Sequence, residues 1–166
     1  MQKHGNAWTY SPSDLIQFLE NEAVTWFNRF DKERPGVLSR DEEAASEKLI
    51  QLAGDEHERR FLEELVADKR DVADLREVSG AAARTLEAMR SGREVIYQGR
   101  LEAGEFAGYA DFLIRVDGSS DLGLCHYEVW DTKLARGVKP YFAIQLCCYA
   151  ELLEAVQGRI CPAGST

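Results

Sequence analysis

Hydrophobic and polar positions change their period near Gly92. Before it, apolar residues recur at helical spacing. In "SPSDLIQFLENEAVTWFNRF", Ser11 is placed as N-cap, Pro12 at the first helical position and Asp14 three residues after the cap. Leu15, Phe18, Leu19, Val24 and Phe27 then form one stripe, predicting a helix. A second helix is expected from about Ser39, with Asp41, Glu42 and Glu43 in an acidic first turn and Gly54 as a break or bend. "DEHERRFLEELVADKR" predicts a third, and "GAAARTLEAMRSG" a fourth that ends at Gly92. After Gly92, "EVIYQGRLE", "FAGYADFLIRV" and "CHYEVWDTKLA" read as three strands, the last two as an antiparallel hairpin. Pro140 opens an apolar helix, "PYFAIQLCCYAELLEAVQG", ended by Gly158. "RI" at 159–160 is placed to begin a further strand, parallel and reached by a right-handed crossover. The expected organisation is a single domain over 1–166, helical over about 10–92 and a sheet with its helix over about 93–160. It is expected to be a fragment of a longer protein.

Composition narrows the class. With 166 residues, 45% apolar and 30% charged, the chain has enough material for a soluble globular core. No apolar run approaches the roughly 18 residues of a membrane span, and the first residues lack a signal-peptide core, so no membrane partner and a cytoplasmic location are expected. The net charge of −9 argues against broad electrostatic attraction to nucleic acid. Residues 1–80 hold 18 acids and 11 bases, whereas residues 81–166 hold 11 acids and 9 bases. Any nucleic-acid contact must therefore come from a local patch. Arg84, Arg90, Arg93 and Arg100 are candidates, and ordinary exposed arginines are the equal alternative. Cys125, Cys147, Cys148 and Cys161 form no CxxC pair, and buried free thiols are the simplest reading.

The charged residues inside the hairpin raise the chemical question. Side chains alternate along a strand. Asp111 is expected to share a face with Tyr109, Leu113 and Arg115, while Ala110, Phe112, Ile114 and Val116 supply the core. Asp131 and Lys133 are two apart and share a face; Glu128 has the opposite parity. A hairpin can thus gather Asp111, Asp131 and Lys133. Two carboxylates on neighbouring strands suit a hard divalent cation. A lysine beside them can orient a water or stabilise charge on a phosphate oxygen. A surface salt-bridge ladder would have the same spacing. Gln145 and Tyr149 are four apart on one face of the last helix, where a glutamine needs a partner. His57, Phe61 and Leu65 fall on one helical line, which places His57 on an inward stripe as either a ligand or a core residue.

In this order, His57 in "DEHERRFLEEL", Asp111 in "GYADFL", Asp131 and Lys133 in "DTK", and Gln145 and Tyr149 in "QLCCYAELL" resemble the RecB-like branch of the PD-(D/E)XK nuclease superfamily. The likeness runs from about Tyr10 to Gly158. It is nearest to a predicted RecB-like nuclease family that opens on a "YSPSDL"-type helix and often continues into an RNase H-like or helicase region. DxK alone is weak; the ordered set of four motifs is specific.

The resemblance implies an α/β fold with a PD-(D/E)XK nuclease-like core, a mixed sheet flanked by helices, and an N-terminal helical part. It implies Mg²⁺- or Mn²⁺-dependent hydrolysis of DNA phosphodiesters. Asp111 and Asp131 would hold the ion, with His57 as a further ligand and Glu58 as a helper beside it. Lys133 would act on the water or the developing phosphate charge. Gln145 and Tyr149 would position the lysine or a phosphate. Some relatives carry an iron–sulfur cluster, but no cysteine precedes Cys125 and only Cys161 follows the last helix, which argues against one here. DNA ends or single strands are the expected substrate, with RNA left open, and an additional domain or helicase is the expected partner. The alternative is a nuclease-like domain that binds nucleic acid without cleaving it.

Overall fold

The computed structural model describes residues 1–39, 45–131 and 140–159. Two short strands, β1 (Gln2–His4) and β2 (Ala7–Thr9), form an antiparallel hairpin. Helix α1 (Pro12–Glu20) follows, with Ser11 and Asp14 making the expected capping box. The predicted single helix is in fact two. Asn21 ends α1 by donating its backbone N–H to the Gln17 carbonyl, at 2.8 Å, and its side chain caps α2 (Glu22–Glu33) through the Ala23 N–H, at 3.0 Å. Asparagine competes well for backbone groups at helix ends, and here it serves both sides of the break.

The second and third expected helices are one, α3 (Ala45–Ala67), which runs through Gly54. A helical glycine costs only about 1 kcal/mol relative to alanine. That is too little to end a helix with an apolar stripe to bury. The acidic turn expected at Asp41 to Glu43 lies outside the described residues.

A short strand, β3 (Val72–Asp74), then leads into α4 (Ala81–Arg90). The sheet continues with β4 (Val95–Ala103), β5 (Phe106–Ser120) and β6 (Gly123–Trp130), and the described chain closes with α5 (Pro140–Gln157). Sheet order is β3-β4-β5-β6; β3 and β4 are parallel and the other neighbours antiparallel. The fold is therefore α/β, a mixed four-stranded sheet flanked by helices. Arg159 is not in a strand, and Ile160 lies outside the described residues. No helix among the described residues is long and apolar enough to cross a membrane.

Both faces of the sheet are buried. On one, Ile96, Leu101, Ala110, Leu113 and Tyr127 pack with Ala88 and Met89 of α4 and Leu152 and Leu153 of α5. On the other, Val95, Tyr97, Phe112 and Ile114 pack with Leu62 of α3. This corrects the simple alternation expected for β5. Leu113 is fully buried, and Ala110 and Leu113, three apart, join the same cluster. The period slips between them, at Asp111. β4 slips too, since Ile96 and Leu101 share that cluster although five apart. The cause lies at Gln98, whose φ of 54° is left-handed. The ladder pairs Tyr97 with Phe112 and Gly99 with Ala110, leaving Gln98 and Asp111 opposite each other between these pairs.

The β6 edge is capped from α5. Gln157, fully buried, accepts the Tyr127 N–H at 2.8 Å and donates to the Tyr127 carbonyl at 3.1 Å. A side-chain amide thus stands in for a neighbouring strand.

Candidate metal centre

Asp111 and Asp131 are brought together by the register of β5 and β6. The last ladder pair is Phe112 with Trp130. Asp111 immediately precedes Phe112 and Asp131 immediately follows Trp130, where β6 ends, so the two aspartates flank the last pair of the ladder. Each is half-buried, and Oδ1 of Asp131 is closed off from solvent. Asp131 has the same parity as Tyr127 and Val129, which pack towards α5. Glu128 lies on the opposite face, paired in register with Ile114 and 3.8 Å from Nε2 of buried His126.

Helix α5 supplies the back wall. The Tyr149 hydroxyl donates to the Tyr109 carbonyl at 2.6 Å, two residues from Asp111. Burial pushes the Tyr149 phenol far above its ordinary pKa; the charges of Asp111 and then Asp131 push further, and a hydrogen bond with Gln145 opposes them. Tyr149 is therefore protonated over the whole physiological range. The same couplings place Asp111, Asp131, Gln145 and Tyr149 in one neighbourhood, four of the six expected site residues. Gly108 makes the approach of α5 feasible. A Cβ there would stand 2.8 Å from Cδ of Pro12, closer than packing allows, and 3.1 Å from the Tyr149 hydroxyl, a tight contact.

Lys133 lies outside the described residues. His57 is described and is exposed, not inward-facing. Phe61 and Leu65 do pack on the sheet, but one turn earlier the inward position belongs to Glu58. At 100° per residue, a stripe through Leu65 and Leu62 continues to Glu58 as readily as to His57. Glu58 accepts a hydrogen bond from Gln98 Nε2 at 2.6 Å. Burial, then hydrogen bonding to this carboxylate, pushes the Tyr97 phenol strongly up. Among the described residues no three His, Cys, Asp or Glu side chains converge as a metal-ligand set, so the structure does not join His57 to the aspartate pair.

The pair nevertheless fits Mg²⁺ or Mn²⁺. Such ions prefer oxygen ligands and are commonly held by one or two carboxylates, with waters and substrate phosphate completing the shell. Cys125 is buried, Cys148 half-buried and Cys147 exposed; Cys161 lies outside the described residues. The candidate arginine patch is largely neutralised. Arg84 meets Glu87 at 2.9 Å, Arg93 meets Asp71 at 2.6 Å and Arg100 meets Glu102 at 3.3 Å, whereas Arg90 is exposed at the end of α4.

No family model, curated protein or solved structure matches this chain.

Sequence reasoning missed Glu58 as the inward residue, Gln98 and Gln157. It also missed the β1–β2 hairpin, for which the Gly5-Asn6 pair between "QKH" and "AWT" was a readable turn signal. The left-handed turn at Gln98 had no such signal, because glutamine carries no preference for it.

Proposed function

We propose that this domain is a metal-dependent deoxyribonuclease with a core like that of the RecB-like PD-(D/E)XK enzymes, acting on DNA ends or single strands. One observation carries the reading: Asp111 and Asp131 flank the last pair of the β5–β6 ladder, backed by Tyr149 and Gln145. Two half-buried carboxylates near each other raise the local negative potential, which favours a hard divalent cation.

Asp111 and Asp131 would hold Mg²⁺ or Mn²⁺, which when bound supplies positive charge to a scissile phosphate. Tyr149, protonated and bonded to the Tyr109 carbonyl, fixes the stretch of β5 that carries Asp111. Gln145 hydrogen-bonds that phenol. Lys133, two residues beyond Asp131, would orient the attacking water or offset charge growing on phosphate oxygen.

A second reading is favoured by exposed His57 and by the two-carboxylate site: a nuclease-like domain that binds nucleic acid without cleaving it. Incubating the purified chain with labelled single- and double-stranded DNA and Mg²⁺, Mn²⁺ or EDTA separates the two. Cleavage that EDTA abolishes is the expected result. Retained DNA binding with no cleavage in any metal would leave only the second reading. Lys133→Ala should keep Mn²⁺ binding, measured by calorimetry, while cleavage falls about 10²–10³-fold, the usual effect of losing one charge-stabilising donor. Wild-type cleavage by this variant would remove Lys133 from the chemistry.

A further inference from the structure

We propose that a cleft on the α3 side of Asp111 receives one unpaired nucleobase of a DNA strand, stacked on Tyr109. The proposal rests on the nuclease reading and specifies how its substrate is held. The cleft has a volume of about 520 Å³ and is lined by Glu58, Arg59, Arg76, Tyr97, Gln98 and Tyr109, among others. That is within the size range of small-ligand sites and is sufficient for one nucleotide.

Three features select a base over other ligands. The first is Tyr109, which is 45% exposed although it lies within β5. The Arg100 guanidinium lies 5.4 Å from its ring centre, so a base on Tyr109 would extend an existing cation–aromatic stack. The second is Gln98. Its left-handed backbone costs about 1–2 kcal/mol for a residue with a Cβ, and strain of that kind gathers at functional sites. The turn sends its side chain to Glu58, and the amide–carboxylate pair offers a donor–acceptor edge of the kind that reads base edges. The third is charge. Arg59 is paired with Glu56 and Glu63, and Arg76 with Asp74 at 2.6 Å. These guanidiniums are already compensated, and Asp55, Glu58 and Glu77 also line the cleft, so it suits a neutral flat group and disfavours a free anion.

The cleft shares strand β5 with the metal centre but lies on the α3 side of the sheet, and neither aspartate lines it. Gln98 lies opposite Asp111 across the ladder, and the carbonyl of Tyr109 is the group that Tyr149 holds. In this proposal a strand with a phosphate at Asp111 places a neighbouring base on Tyr109, two residues away on β5. Tyr97 closes the inner end, with Arg76 5.1 Å from its ring centre.

The test is fluorescence anisotropy with a short fluorescein-labelled DNA single strand in EDTA, where cleavage is off, alongside Mn²⁺-dependent cleavage by the same proteins. Tyr109→Ala should weaken binding about 5- to 100-fold, the range for losing one base–aromatic stack. Tyr109→Phe, which keeps the ring, should restore most of the affinity. A melting curve for each variant confirms the fold. If Tyr109→Ala binds the strand as tightly as wild type while wild type cleaves DNA, the cleft proposal is overturned and the nuclease reading stands. If wild type neither binds nor cleaves, both fall. A loss of affinity that Tyr109→Phe does not restore would also overturn stacking as the cause.

Discussion

Asp111→Asn should lower Mn²⁺-dependent cleavage by about 10³-fold, equivalent to about 4 kcal/mol of transition-state stabilisation. Asp131→Asn should do the same. The two carboxylates flank the last pair of the β5–β6 ladder, and no third His, Cys, Asp or Glu converges with them among the described residues. Removing either charge leaves an ion with a single carboxylate from the protein. Glu128→Gln is the matched control. It is three residues from Asp131, on the other face of β6, beside His126. Its cleavage rate should stay within about twofold of wild type, since surface or half-exposed acids away from the chemistry contribute little. The measurement is a single-turnover rate with each variant after thermal melts establish that all are folded. A dead Glu128→Gln with an active Asp131→Asn would mean the catalytic face is the other side of the sheet.

Gln157→Ala should destabilise the fold by about 2–4 kcal/mol, because it removes two buried hydrogen bonds at once and each orphaned buried group costs about 1–3 kcal/mol. The position is fully buried, so water cannot easily replace the amide. Both bonds go to the backbone of Tyr127, whose side chain is itself at the centre of the core and donates to the Arg93 carbonyl at 2.7 Å. A loss of this size in a domain of this length corresponds to a drop in melting temperature of about 5–15 °C. Urea unfolding with an unchanged slope would show that native contacts, not the denatured chain, account for it. A melting temperature within about 2 °C of wild type would show that Gln157 does not support the β6 edge.

The legible parts of this fold were those written in local patterns. The Ser11 capping box, the α4 stop at Gly92, the three central strands and the Pro140 start of α5 all follow from caps, breakers and period. Parity placed Glu128 apart from Asp131, and that separation is present because β6 is regular up to Trp130. Parity misled in β5, because the irregularity arises on another strand: Gln98 turns left-handed and its partner across the ladder is Asp111. No rule applied to "GYADFL" alone could see that. His57 was misplaced for a geometric reason, since a helical line tolerates a one-residue rotation and Glu58 took the inward side. Gly54 and Asn21 exchanged roles because a glycine inside a helix is a small penalty, whereas an asparagine that satisfies backbone groups on both sides is a local gain.

The β4–β5–β6 arrangement has a consequence for assembly order. These strands follow one another directly and pair in sequence, so the aspartate pair depends on closing one hairpin and on no distant segment. Loop closure of that kind costs little chain entropy and precedes long-range pairing. The parallel β3 strand, by contrast, must wait for α4 to cross over. Pulse-labelled hydrogen exchange during refolding should therefore protect the amide of Leu113, inside the β4–β5–β6 ladder, before that of Val95, which bonds to the Asp71 carbonyl beside β3. Simultaneous protection would mean the sheet condenses as a whole. In the staged case, the carboxylate pair is among the first tertiary features to form, and the wall bearing Tyr149 closes on a site whose charges are already in place.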